Sequence, residues 1–240
     1  VAAWGTTSST ALDPLTPIAA LCQEHQLWLH VDAAYAGSAF ILPEHRQRAS
    51  GIEQADSMVF NPHKWLMTHF DCSAYFVKDT ALLTRTLGLT PEYLKTDLDR
   101  QVNNYRDWGI PLGRRFRALK LWFVLRSYGL NGLQEILRQQ INWVQALAEH
   151  IRQHSDFEVL APVPLNLVCF RYAPANTTET EREQLNQRLL TAVNATGEMF
   201  ITHTRLKDTY SLRLVAGNPN TTQEHISRAW SLLQATASQL

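Results

Sequence analysis

The chain contains few cysteines, and none of them are paired in sequence. Cys22, Cys72 and Cys169 are far apart and form no CxxC pair. A CxxC pair is the usual starting point of a zinc site or a redox-active dithiol, so neither site is expected. An odd number of separated thiols is typical of a protein whose cysteines stay reduced. We therefore expect a cytoplasmic protein.

Other absences limit the classes of partner. The 22 basic residues balance the 22 acidic ones, so no net positive charge attracts nucleic acid or an anionic membrane. No apolar run approaches the roughly 20 residues that span a bilayer, and no basic segment precedes an apolar one at the N-terminus. No GxGxxG motif follows a predicted strand, which argues against a nicotinamide-binding module. We expect neither nucleic acid nor membrane as a partner.

The first half of the chain has the pattern of an α/β protein. Short, mostly apolar strands are predicted at 27–31, 57–60 and 73–77, and a helix begins after Asp13 and Pro14. Strands and helices of these lengths predict right-handed crossovers and a largely parallel, buried sheet.

The second half has a different pattern. A helix is predicted from 112 to about 127, with Phe116, Leu119, Trp122 and Phe123 on its buried side, and Gly129 is a plausible stop. A longer amphipathic helix is predicted from 132 to 154.

Beyond this helix the pattern is that of a small α+β unit. Strands are predicted at 166–171, 199–203 and 210–215. Two helices are predicted to begin with capping boxes, one formed by Thr178 with Glu181 and one by Thr221 with Glu224. We place the boundary inside the helical stretch, which gives domains of residues 1–119 and 120–240.

Two charged side chains follow neighbouring strands of the predicted sheet. Asp32 lies just past one strand, within HVDAAYAG, and Lys64 lies just past the next, within NPHKW. Parallel α/β sheets bind ligands at the carboxyl ends of their strands. A pyridoxal cofactor requires an acid that keeps its ring nitrogen protonated and a lysine that forms a Schiff base with its aldehyde.

The residues alone leave other interpretations open. An isolated Lys64 is more often a solvated surface lysine, and Asp32 alone is equally suited to capping a helix. What favours a cofactor site is their combination with the small residues Ala33, Ala34, Ala36 and Gly37, which let a flat ring approach the backbone.

Four segments carry a resemblance to a known family. HVDAAYAGSAF, NPHKW, FDCSAYFVK and IPLGRRFRALKLWFVLRSYG resemble the group II pyridoxal-phosphate-dependent decarboxylases, the family of aromatic-L-amino-acid decarboxylase and histidine decarboxylase. The resemblance covers nearly all of the chain. It implies the C-terminal part of a fold-type I large domain with a mostly parallel sheet, followed by a small C-terminal α+β domain. It also implies pyridoxal 5'-phosphate as cofactor and a homodimer.

The resemblance assigns three cofactor contacts in the first motif pair. Lys64 would anchor the cofactor aldehyde, Asp32 would pair with the pyridine nitrogen, and Ala34 would lie against the ring face.

It assigns three further polar contacts. Asn61 would bind the cofactor phosphate and His63 would lie close to it, and Thr7 would hydrogen-bond near the cofactor and Lys64. His63 is also the alternative to Tyr93 as a proton donor.

Two residues bear on the reaction and the substrate. Tyr93, in PEYLK, matches the loop tyrosine that delivers the proton taken up after carbon dioxide leaves, whereas family members with phenylalanine there make aldehydes. Gly113 matches a position where histidine decarboxylases carry serine, so a larger ring, that of tryptophan, tyrosine or dihydroxyphenylalanine, is expected. The structural alternatives are an exposed loop aromatic for Tyr93 and a helix start for Gly113.

The leading interpretation is a carboxy-lyase that converts an aromatic L-amino acid into its amine and carbon dioxide. The alternatives are an aldehyde synthase, a decarboxylase of nonaromatic amino acids, and an inactive fragment or paralogue that contributes only a dimer interface. The chain opens at Val1 without methionine. We expect the numbering to begin inside a domain, with the family's N-terminal half absent and the piece alone inactive. The stretch from Tyr93 to Trp108 is expected to be about two residues shorter than in the animal enzymes.

Overall fold

The computed structural model describes residues 1–89, 91–94, 97 and 101–240. Within these residues the strands form two sheets, each with helices packed against it. The strands are β1 (Ala2–Ala3), β2 (His30–Asp32), β3 (Ser57–Phe60), β4 (Ala74–Val77), β5 (Phe157–Val159), β6 (Leu167–Tyr172), β7 (Thr202–Leu206) and β8 (Thr209–Val215). The helices are α1 (Leu15–Glu24), α2 (Pro43–Arg48), α3 (Pro62–Trp65), α4 (Thr80–Leu87), α5 (Ala118–Gln153), α6 (Glu179–Ala195) and α7 (Gln223–Ala237).

The first sheet has the order β1-β2-β3-β4, and its strands are parallel except for β4. The expectation of a largely parallel sheet is thus confirmed, and β4 is its one antiparallel strand among the described residues. Parallel neighbours need a crossover of a dozen or more residues, usually built on a full helix. The connection between β3 and β4, residues 61–73, contains a single helical turn, α3, in place of a full helix, and the chain reverses direction. The start of β4 consequently lies beside the carboxyl end of β3.

Strand β2 is shorter than predicted. The sequence predicts a strand from Leu27, but Leu27 and Trp28 are exposed and β2 begins at His30. Gln26 has a positive φ of 52° and turns the chain after α1, which leaves these two residues in the connection. Asp32 is therefore the last residue of β2 rather than the first residue after it.

The helix predicted from residue 112 begins instead at Ala118, and Gly129 interrupts it as expected, with φ 64° and ψ 174°. The prediction of its buried side is wrong. Phe116, Leu119, Trp122 and Phe123 are all exposed in this chain, by 75%, 40%, 53% and 56%. In this part of the helix, Leu121 and Val124 pack against the hydrophobic core of the first sheet, and they lie on a different face of the helix.

The second sheet has the order β5-β6-β8-β7 and is antiparallel throughout. Helices α5, α6 and α7 contribute to its core, so the predicted α+β unit is present. The strand predicted at 199–203 begins three residues later than expected, at Thr202–Leu206.

One of the two predicted capping boxes is confirmed. Thr178 and Glu181 form the reciprocal pair at the start of α6. The box at α7 uses Thr222 and His225, not Thr221 and Glu224. The prediction of Thr221 as the capping residue is wrong. Its amide donates to the Asn218 carbonyl, so Thr221 still belongs to the turn that precedes the helix.

Helix α5 belongs to both cores. Leu133 and Leu137 pack with the first sheet, whereas Leu147 and Ile151 pack with the second. A domain boundary at residue 119 remains a prediction. Among the described residues, no helix combines the length and the apolar character needed to cross a membrane.

Candidate active site

The carboxyl ends of β2 and β3 bring the predicted residues of the first two motifs together. Asp32 is paired with Val59 in the parallel register, and the Asn61 amide donates to the Ala34 carbonyl at 2.9 Å. Asn61 directly follows β3, and Lys64 follows it by three residues. The loop that carries Asp32 and Ala34 is thus bonded to the loop that carries Asn61 and Lys64.

The Asp32 side chain is exposed, and one of its two carboxylate oxygens accepts a hydrogen bond. Its Oδ1 accepts a hydrogen bond from the Ala34 amide at 2.9 Å, which closes a short turn after the strand. None of the residues that the structure describes donates to Oδ2. One carboxylate oxygen therefore fixes the loop while the other stays available to a ligand.

Lys64 lies in the single turn α3, which Pro62 begins at the first helical position. The side chain is exposed, and no described residue pairs with its ammonium group. The neighbouring Asn61 accepts a hydrogen bond from the Ser73 hydroxyl at 2.6 Å. Ser73 reaches Asn61 because it immediately precedes β4, whose antiparallel direction places its start at this edge of the sheet.

His63 is oriented by the segment that leads into β4. Its Nδ1 accepts a hydrogen bond from the Cys72 amide at 3.0 Å and lies 2.7 Å from the Cys72 carbonyl oxygen. The ring also meets Phe70 edge-on, with 4.8 Å between the centroids. The imidazole is therefore fixed beside Lys64.

Thr7 lies on the same edge, in the loop that follows β1. The Trp4 amide donates to the Asp32 carbonyl at 2.8 Å, which extends the pairing of β1 and β2 toward this loop. The loop is held from the second sheet. Arg213 of β8 donates to the Thr7 and Ser8 carbonyl oxygens at 2.6 and 2.8 Å.

The structure does not bring Tyr93 or Gly113 to this edge. Tyr93 lies in a 3-10 turn, Glu92–Leu94, and is 78% exposed. Gly113 is exposed, and a Cβ built on it would meet nothing within 4 Å. Lys95 of the PEYLK motif and residues 96 and 98–100 of the predicted lid lie outside the described residues, and the expected shortening stays a prediction.

One charged cluster was missed in the sequence. Asp71 receives hydrogen bonds from Arg115 at 2.9 Å and Arg117 at 3.0 Å, and its carbonyl accepts one from Lys120 at 2.5 Å. The hydrogen bond from Arg117 is the main cause that holds the pKa of the Asp71 carboxyl below its usual value. This cluster ties the start of α5 to the segment that orients His63. The available signal was the unbalanced run of basic residues in GRRFRALK.

Other chemistry is less well supported. All three cysteines are free, and burial raises the pKa of the Cys72 and Cys169 thiols, which disfavours the reactive thiolate. Within the part of the chain that the structure describes, no three His, Cys, Asp or Glu side chains form a metal-binding group.

A family model described as the pyridoxal-dependent decarboxylase conserved domain matches residues 1–173. The chain belongs to the pyridoxal-dependent decarboxylase family. This match contains the whole candidate site and confirms both the resemblance and the cofactor class. The fold expectation is likewise confirmed by solved members of the family.

Individual relatives are similar over almost the entire chain. A tyrosine decarboxylase of Narcissus pseudonarcissus is 46% identical over 97% of this chain and 47% of its own length. A phenylacetaldehyde synthase of Arabidopsis thaliana is 45% identical over 98% and 49%. A crystal structure of Oryza sativa TDC with PLP and tryptamine superposes with a TM-score of 0.94 at 39% identity, over 99% and 50%. The chain spans about half the length of these relatives.

The residues present fit a pyridoxal phosphate. The site offers a carboxylate with one oxygen available, a lysine without a described partner, and the side chains of Asn61 and Ser73. These groups match a protonated ring nitrogen, an aldehyde and a phosphate, respectively.

Proposed function

We propose that the protein containing this chain is a pyridoxal-phosphate-dependent carboxy-lyase that converts an aromatic L-amino acid into its amine and carbon dioxide. The observation that carries the proposal is the pairing of Asp32 at the end of β2 with Lys64 just beyond β3, on loops joined by a hydrogen bond. The names of the similar proteins support the reaction and the aromatic substrate, because they include a tyrosine decarboxylase.

Each site residue has a distinct task in this proposal. When bound, pyridoxal phosphate supplies an electron sink for the bond that breaks as carbon dioxide leaves. Lys64 Nζ anchors its aldehyde, and the Asp32 carboxylate keeps a proton on its ring nitrogen. Ala34 packs against the ring, and Asn61 binds the phosphate.

The other predicted residues act around this centre. His63, fixed by Cys72, lies near the phosphate, and Thr7 contributes a hydrogen bond near Lys64. The Tyr93 hydroxyl donates the proton that the substrate α-carbon takes up in place of the carboxyl group. Its 78% exposure in the structure suits a residue that acts only when its loop closes over substrate.

Gly113 supports a substrate with a large ring. By the resemblance it takes the position where histidine decarboxylases carry serine, and a residue without a side chain would leave more room there for a large ring. We infer that tryptophan, tyrosine or dihydroxyphenylalanine is preferred over histidine.

An aldehyde synthase is the second candidate, favoured by the 45% identity to a phenylacetaldehyde synthase. That reaction consumes molecular oxygen and water and releases aldehyde, carbon dioxide, ammonia and hydrogen peroxide. Tyr93 favours the amine, because its hydroxyl supplies the proton before oxygen reacts.

The products distinguish the two candidates. The protein that contains this chain, loaded with cofactor, is incubated with tryptophan, tyrosine and dihydroxyphenylalanine, and carbon dioxide, amine, aldehyde and hydrogen peroxide are measured. We expect amine equal to the carbon dioxide released, and a shift toward aldehyde and peroxide in Tyr93→Phe. Aldehyde from the unaltered protein would favour the synthase. Unchanged amine yield in Tyr93→Phe would assign the proton to another residue, with His63 as the first alternative.

We also infer a homodimer. Phe116, Trp122 and Phe123 are exposed, and the rings of Trp122 and Phe123 are in contact, which gives an apolar surface of the kind that mediates subunit contact. Sedimentation of the same preparation tests this inference: two copies per particle are expected, and a monomer contradicts it. A cytoplasmic location stays a prediction, supported by the three free thiols.

A further inference from the structure

Two aromatic side chains lie next to the cofactor residues in sequence and stack on each other in space. Tyr35 follows Ala34, and Trp65 follows Lys64. Their rings are 5.3 Å apart between centroids and inclined by only 6°. The loop that faces the ring and the turn that carries the anchor are thus joined by side chains as well as by backbone.

Two buried amides hold this pair from the second half of the chain. The Tyr35 hydroxyl donates to Asn166 Oδ1 at 2.8 Å, and Trp65 Nε1 donates to Gln140 Oε1 at 2.7 Å. Asn166 is fully buried, and Gln140 is 1% exposed. Burial of a polar amide is costly unless its groups are bonded, so these positions are specified by their partners.

The same two amides are anchored to one short segment. Asn166 Nδ2 donates to the Ala216 carbonyl at 2.7 Å, and Gln140 Nε2 donates to the Asn218 carbonyl at 3.0 Å. Residues 216–218 directly follow β8 of the second sheet. Each aromatic side chain of the site is therefore connected through one amide to the same turn of the small unit.

We propose that Tyr35 and Asn166 are positioning residues, which connect the Ala34 loop to the small unit and keep it aligned with the Lys64 turn. This proposal rests on the proposed function, since it concerns the alignment of Asp32 and Ala34 with Lys64 around one ring. The roles proposed above for Lys64 and Asp32 do not include this network.

The alignment needs support beyond the strands. The backbone contact between the two loops, from Asn61 to Ala34, fixes only their starts, and α3 is a single turn. A displacement of about 1 Å in a reacting group can lower a rate by about 100-fold. Burial holds the pKa of Tyr35 far above its ordinary value, so the hydroxyl stays a donor throughout the working pH range.

The test compares three single variants and one double variant of the cofactor-loaded protein. Tyr35→Phe removes the hydroxyl but keeps the stacked ring, and Asn166→Leu removes both bonds of the amide. Asn186→Leu is the matched control, because Asn186 is also a fully buried amide of the small unit but bonds the backbone of Tyr172, away from the site. The readouts are the visible circular dichroism of the bound cofactor and separate values of kcat and KM.

We expect Tyr35→Phe and Asn166→Leu to reduce the dichroism and to lower kcat by about 10-fold or more, with KM changed by less than about 3-fold. The double variant should lose no more than Asn166→Leu alone, since Asn166→Leu already breaks the Tyr35–Asn166 bond that Tyr35→Phe removes. Asn186→Leu should keep the dichroism and kcat.

Two results would overturn the proposal. One is unaltered dichroism and kcat in Tyr35→Phe. This variant is the milder change, so the test does not depend on whether Asn166→Leu folds. The other is an equal loss in Asn186→Leu, which would reduce the effect to general destabilisation. Failure of the proposed function is separate, because it would show in the unaltered protein as cofactor binding without decarboxylation.

Discussion

Asp32 has both a structural task and a proposed chemical task. One carboxylate oxygen closes the turn to Ala34, and the other is not engaged by any described residue. Asparagine can keep the first interaction, because its side-chain oxygen also accepts from the Ala34 amide. It cannot supply the negative charge that a protonated ring nitrogen requires.

Substitution of Asp32 separates these two tasks. Asp32→Asn should keep the unfolding temperature near that of the unaltered protein and lower kcat by at least about 100-fold, the loss expected when a fixed charge is removed from a reacting centre. Asp32→Ala should lose activity to the same degree and also lose stability. Thermal unfolding and steady-state kinetics measure both effects, and an Asp32→Asn protein with unaltered kcat would remove Asp32 from the proposed mechanism.

At this scale the sequence predicted the residues that follow parallel strands. Lys64 and Asp32 were recognisable because the motifs place them at strand ends, where such sheets bind ligands. Ser73 was not, because its position beside Asn61 depends on the reversed direction of β4. Asn166 was not, because the Tyr35 hydroxyl that it binds lies 131 residues away in sequence.

At the scale of elements, the loop after β1 and the loop after β2 are in direct contact. Gly5 has a φ of 97°, and a Cβ there would lie 2.2 Å from the Ala36 Cβ. A side chain at Gly5 would therefore push the Thr7 loop away from the loop that holds Asp32 and Ala34. Contact this close is possible only with glycine.

Gly197 supplies the matched control, because it also has a positive φ, 72°, but a Cβ there meets nothing within 4 Å. Gly197→Ala should cost about 1–2 kcal/mol of unfolding free energy through the backbone conformation alone. Gly5→Ala should cost about 3 kcal/mol or more, because overpacking is added, and should weaken cofactor binding. Denaturant unfolding and cofactor titration measure the two effects. Equal costs in the two variants would contradict the tight contact at Gly5.

The elements also show where sequence patterns were insufficient. Apolar spacing predicted a helix from residue 112 with a buried aromatic side, but α5 begins at Ala118 and exposes Trp122 and Phe123. Periodicity identifies an apolar face without identifying what covers it. The basic residues that precede α5 do not begin the helix; Arg115 and Arg117 form ion pairs with Asp71.

At the scale of the whole molecule, helix α5 joins two cores, and the candidate site depends on both. The strand ends of the first sheet supply Asp32 and Lys64, and the second unit supplies Asn166 and Arg213, which hold the surrounding loops. The fold class and the presence of a second, separate set of strands could be predicted from the sequence. Their connection through buried amides could not, because pairing between distant polar residues leaves no local pattern.

The central claim is that Lys64 carries the cofactor, and one measurement tests it directly. The protein that contains this chain is purified with pyridoxal phosphate and treated with borohydride, which fixes an aldehyde covalently to the lysine that holds it. The digest is then mapped by mass spectrometry. We expect the pyridoxyl group on the peptide that contains Lys64. Modification of another lysine, such as Lys78 or Lys120, or the absence of any modification would contradict the account.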